Sequence, residues 1–241
     1  MDFAFVLAVG LVAGTISGIV GFGSSIMLMP VLVIAFGPIQ AVPIMAIAAI
    51  MANLSRVLVW WRAIDWRICG AYSVTAVPFA GLGARTLLVV PADAVEIALG
   101  VFFIVMIGVR RWMAAHRLRL SRWHLAALGV PVGFLTGVVA STGPVTAPIF
   151  LAAGLLKGAF LSTEATASLF VYVAKAAVFR EFGALPLEIV AKGLIVGASL
   201  MGGALVAKRF VLTMDPARFS LLMDGLMLVS GATLLWAAFF G

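Results

Sequence analysis

Two short runs of small and polar residues interrupt long apolar stretches: Gly21-Phe22-Gly23-Ser24-Ser25 and Ser141-Thr142-Gly143-Pro144. A helix that begins at such a break presents unpaired N–H groups and the positive end of its dipole. Anions bind at such ends. Gly21, Gly23 and Gly143 let a ligand approach the backbone, and Ser24, Ser25, Ser141 and Thr142 add hydroxyl donors. The chemistry these residues suit is the holding of an anion. Neither break contains an acidic residue, and an anion site requires that absence. The competing reading is that the hydroxyls cap the limbs, and the two readings are compatible.

Two cations stand inside apolar sequence, Arg56 and Lys175, 119 residues apart. A cation in a membrane helix costs about 3 kcal/mol on insertion scales and marks a functional position by default. The alternative is snorkelling to a nearby interface, which suits Arg56 because Trp60 and Arg62 follow it. Asn53 and Ser55 offer polar company to Arg56; Thr166, Ser168 and Tyr172 offer it to Lys175. Asp224 and Glu164 are candidate proton-coupling carboxylates. Against that stand pairing of Asp224 with a basic neighbour and capping of a helix start by Glu164. Tyr72, Ser73 and Thr75 either line a pore or face other helices.

No enzymatic constellation is present. His116 and His124 lie in a basic loop, Cys69 is the sole cysteine, and there is no Gly-Lys-Ser phosphate loop. The chain is therefore expected to be no enzyme, and to need no metal or cofactor.

The elements that position these residues follow from composition. Of 241 residues, 64% are hydrophobic and 10% charged, with mean hydropathy +1.23. A soluble domain carries about 25% charged residues. The expected fold class is all-α: a polytopic helical membrane protein. Its net charge of +7 reflects the basic loops of such proteins and implies no nucleic-acid partner. Apolar segments are expected at 3–20, 24–36, 40–61, 67–89 with a kink at Pro78, 92–112, 123–140, a limb through Pro148 ending near Gly154, 160–180, 186–207 and 216–240. The 24–36 limb covers roughly 20 Å, short of the ~30 Å hydrocarbon core. Each hairpin is expected to return to the side it left.

The chain also repeats. Gly10, Gly14 and Gly18 match Gly129, Gly133 and Gly137 at an offset of 119; Pro30 matches Pro148, and Asp93 matches Asp215. Glycines four apart share one helix face, where another helix can come close. Two repeats are expected, 1–114 and 123–241, joined by a basic cytoplasmic connector, 115–122. Each is a broken helical hairpin followed by three transmembrane helices. On this topology eleven Lys/Arg residues in loops fall on one side and three on the other. The first set is then cytoplasmic, the N-terminus is outside, and the repeats are inverted. Inverted repeats with broken helices meeting near the midplane suit secondary transport.

The run Gly14-x-x-x-Gly18-x-x-Gly21-x-Gly23 with Pro30 resembles the first signature of the TauE/SafE family. Gly133-x-x-x-Gly137 with Ser141-Thr142-Gly143-Pro144 and Pro148 resembles the second. The likeness extends to the glycines at 202, 203, 225 and 231. It implies a multi-pass transporter of the bacterial inner membrane that moves sulfite or related organosulfonates, usually outward. Serine and threonine replace glycines that the family often carries at each break. The expected partners are a small anionic substrate and the lipid bilayer, with room for a homodimer. An anion channel is the alternative, and a non-transporting scaffold a third reading.

Overall fold

The computed structural model describes residues 3–20, 23–116, 119–139 and 142–207, and scattered helical positions between 221 and 239. Every regular element among the described residues is helical. In order they are α1 (Phe3–Val20), α2 (Ser24–Phe36), α3 (Pro38–Trp60), a 3-10 turn (Trp61–Ala63), α4 (Trp66–Val89), α5 (Ala92–Ala115), α6 (Arg122–Val138), α7 (Gly143–Ala152), α8 (Lys157–Glu181) and α9 (Leu187–Ala207).

Several expected boundaries differ by up to three residues: α8 starts at Lys157 rather than 160, and α5 runs on to Ala115 rather than 112. Helix α6 stops at Val138. Pro78 lies within one continuous helix, α4. Local chemistry accounts for two of the starts. Asp65 caps α4, its carboxylate accepting from the N–H groups of Arg67 (3.0 Å) and Ile68 (3.1 Å). Before α6, Ser121 N–H donates to His124 Nδ1 at 3.1 Å, which gives that histidine a structural task.

Among the described residues, three helices are long and apolar enough to cross a membrane: Ile39–Ala63, Trp66–Val89 and Leu187–Leu205. Helices α2 and α7, with 13 and 10 residues, cover roughly 20 and 15 Å. All six tryptophans are exposed, as are Val74, Leu58 and Leu187. Buried serines, threonines and charged side chains face inward instead, Lys175 and Thr163 completely. A polar interior within an apolar surface is the pattern of a bundle that meets lipid.

Helix α1 packs along α9 and α4 along α6; α3 lies beside α8 and α9, and α8 beside α4. The glycine rows make the first two contacts. A Cβ on Gly14 would fall on the carbonyl of Leu200, and one on Gly133 on the carbonyl of Ala76. Gly203 and Gly83 leave the matching space on the opposite helices. Backbone thus meets backbone along both seams.

The two ends of the bundle are marked by contacts. At one, Asp65 N–H donates to Thr163 Oγ1 (2.9 Å) and Gly158 packs under Trp60. Leu120 N–H donates to the carbonyl of Ala152 (2.9 Å), so the α6–α7 hairpin starts and finishes together. At the other end, Arg85 lies 3.8 Å from Glu181 and over the Phe182 ring.

Candidate anion site between the helix breaks

Gly23 precedes α2 with φ of +112°, a conformation that side chains other than glycine rarely adopt. This left-handed residue turns the chain from the apolar hairpin into the limb, and no side chain caps the limb's first turn. Ser24 and Ser25 follow at once, both buried. The second break behaves alike: α7 begins at Gly143 after Thr142, again without a side-chain cap. Thr142 thus precedes α7 without capping it.

Both breaks reach one cavity of about 20 Å³, room for roughly one or two water molecules. Gly23, Ser24 and Ser25 line it from the first break and Gly143 from the second. Helix α1 adds Ser17, α3 adds Asn53 and Arg56, and α8 adds Glu164, Ser168 and Tyr172. Gly21 and Ser141, also expected here, lie outside the described residues.

Arg56 is 9% exposed and does not snorkel. It turns inward: one terminal nitrogen donates to Glu164 Oε2 at 3.2 Å and the other to Asn53 Oδ1. Its Nε is buried without a hydrogen-bond partner. Asn53 supplies the polar company expected of it; Ser55 instead donates to the carbonyl of Ala52. Glu164 is 3% exposed. It lies about two turns inside α8 and caps nothing, which corrects the helix-start reading. Its Oε1 accepts from Thr146 (3.0 Å) and Ser168 (2.9 Å). An acidic group absent from both breaks in sequence is thus brought to the cavity by the fold. Removing one partner from such a buried pair costs about 3–5 kcal/mol.

Lys175 is fully buried and does not line the cavity. Its Nζ donates to the carbonyls of Thr136 (2.8 Å) and Val139 (2.7 Å) and lies 5.5 Å from the Phe179 ring. These carbonyls belong to the last turn of α6, where intrahelical donors run out and the dipole is negative. The expected neighbours of Lys175 are occupied elsewhere, Ser168 on Glu164 and Thr166 on the carbonyl of Ser162. Thr142 is buried beside this clasp, its hydroxyl bonded to that of Thr136. Asp224 sits away from the cavity with Arg111 Nε at 2.7 Å, the basic-partner alternative for that residue.

Tyr72, Ser73 and Thr75 face helices. Tyr72 packs edge-on to Phe150 at 5.2 Å, Ser73 contacts Cys69, and Thr75 donates to the carbonyl of Ala126 at 2.7 Å. Sequence reasoning missed Ser17, and it matched Ser168 with Lys175 although its hydroxyl donates to Glu164. Ser17 carried a signal: it sits in the glycine hairpin one residue before Gly18.

The family described as sulfite exporter TauE/SafE matches residues 6–234. The chain belongs to that family. TauE/SafE proteins are membrane transporters rather than enzymes, in keeping with a bundle whose helices suit membrane spans. No curated relative and no solved structure matches the chain.

Proposed function

We propose that this TauE/SafE protein is a secondary transporter, working as an exporter, of a small sulfur-containing oxyanion such as sulfite or an organosulfonate. The anion binds between the two helix breaks. One observation carries the reading: Gly23-Ser24-Ser25, Gly143 and Arg56 converge on a single cavity, with Arg56 Nε unpartnered inside the protein. An oxyanion supplies the acceptor that this donor lacks, and a helix N-terminus such as that of α2 or α7 favours negative charge.

Alternating access between inverted repeats is the transport mode that fits. Exchanging α1 with α6, α2 with α7, α3 with α8 and α4 with α9 carries the packing of α1 on α9 onto that of α4 on α6, α3 on α9 onto α4 on α8, and α2 on α1 and α3 onto α7 on α6 and α8. The same exchange relates Lys175 to Arg56, and the carbonyls of Thr136 and Val139 to those of Ser17 and Val20. In the opposite state Arg56 would clasp the end of α1 and Lys175 would turn to the cavity. The cycle thus has each cation serve the anion from one face.

The orientation we propose puts the N-terminus outside and the basic loops in the cytoplasm of a bacterial inner membrane. Exposed Trp60, Trp61, Trp66, Trp112 and Trp123 accompany those loops, as interfacial anchors do. A potential negative inside then favours outward passage of whatever net negative charge the loaded carrier bears, by about 2.3 kcal/mol per charge per 100 mV.

The test is a thermal-shift screen of purified protein with sulfite, thiosulfate, sulfoacetate, taurine and chloride, followed by counterflow in vesicles. Sulfur oxyanions should stabilise the wild type, and Ser24→Ala and Arg56→Gln should blunt the shift. Equal shifts in wild type and both variants would remove the anion from this cavity. Large unitary currents without counterflow would make the protein a channel.

A further inference from the structure

The anion site already holds an oxyanion, and it belongs to the protein. The Glu164 carboxylate takes Arg56 on Oε2 at 3.2 Å and the hydroxyls of Thr146 and Ser168 on Oε1 at 3.0 and 2.9 Å. These are the donors a sulfite or sulfonate would seek. The cavity beside them has room for little more than a water. Substrate and carboxylate therefore compete for one guanidinium, and two anions cannot share a buried site without a proton between them.

From this we infer that Glu164 is a resident counter-ion whose protonation accompanies anion binding, so that each anion is bound together with one proton. The inference rests on the anion site proposed above. As the anion arrives, Arg56 exchanges its bond to Glu164 Oε2 for one to an anion oxygen. The carboxylate takes a proton from the aqueous side from which the anion arrives. The carboxyl O–H then donates towards the anion, so an acceptor has become a donor at the place where one is needed. On release the proton leaves with the anion and Arg56 returns to the carboxylate. No group is oxidised or reduced.

The surroundings leave Glu164 as the group that titrates. Arg56 faces it from α3 and stays charged. Tyr72 from α4 and Tyr172 from α8 lie within electrostatic reach of the site, and α7 presents only the Thr146 hydroxyl. Lys175 is turned away to the carbonyls of α6. Asp224 pairs with Arg111 at a distance from the cavity.

The test is calorimetric titration of full-length purified protein with methanesulfonate and with sulfite, each in two buffers of different ionisation enthalpy. Methanesulfonate has no titration of its own near neutrality; sulfite does, and its share is removed by comparing wild type with Glu164→Gln. The wild type should take up about one proton per anion, and its affinity should fall about tenfold per pH unit on the alkaline side. Glu164→Gln should bind methanesulfonate with no added proton and a flat pH profile. Methanesulfonate heats in wild type that are independent of buffer would overturn the coupling and leave the anion site standing. Absence of binding by either anion would remove the site, and the coupling with it. Should Glu164→Gln fail to fold, the wild-type methanesulfonate pair of buffers decides alone.

Discussion

Arg56 and Lys175 stand 119 residues apart, the same offset as Gly10, Gly14 and Gly18 from Gly129, Gly133 and Gly137, yet they do opposite things. Lys175 is locked to backbone, its ammonium shared between two carbonyls at the end of α6. Arg56 is locked to a side chain, reaches across to the other half, and keeps one buried donor without a partner. The side-chain chemistry suits each task. A compact ammonium fits the convergent carbonyls of a helix end, whereas a planar guanidinium fits an oxyanion. Equal places in sequence therefore did not produce equal environments, and in the proposed cycle that inequality is what reverses.

The largest effects should come where the halves are alike. Gly14→Leu and Gly133→Leu each drive a side chain into backbone. Both should cost about 3 kcal/mol or more, read as loss of monodisperse protein in size-exclusion chromatography. A benign outcome in one half alone would break the equivalence of the seams.

The next effect separates the cations. Arg56→Gln should weaken anion binding on the order of 100-fold, the share expected for a buried charged partner. Lys175→Gln should change cavity-side affinity by less than about threefold. It should instead lower stability by about 1–3 kcal/mol, through carbonyls left unpaired. In vesicles it should raise the half-saturation concentration measured from the other face. Equal losses of affinity in the two variants, by thermal-shift titration, would erase the distinction drawn between them.

A smaller change is expected at Ser24. Its hydroxyl is one donor among several, so Ser24→Ala should weaken binding about fivefold. Asp224→Asn should do least. Its partner Arg111 is well exposed, so stability should move by under about 1 kcal/mol, with the proton count on binding unchanged. A lost proton there would transfer the coupling role from Glu164 to Asp224.

Local relations were legible in the sequence, and long-range ones were not. Glycines four apart announced a close-packed face, and Asn53, one turn before Arg56, announced its neighbour. Both relations follow from helix periodicity alone. The pairing of Arg56 with Glu164 spans 108 residues, and nothing in spacing along one helix reports which helix will stand opposite. For the same reason Lys175 was matched with hydroxyls on its own helix while its partners lay on α6. The expected last helix, 216–240, falls largely outside the described residues, so its repeat partner α5 has no full counterpart to compare.

The glycine seams carry a mechanical consequence. Backbone pressed against backbone leaves little freedom to slide or tilt, so α1 and α9 form one beam and α4 and α6 another. Each beam takes one helix from either half of the chain. These two close-packed pairs are the parts of the bundle least free to shift, and each ties a helix before residue 116 to one after residue 121.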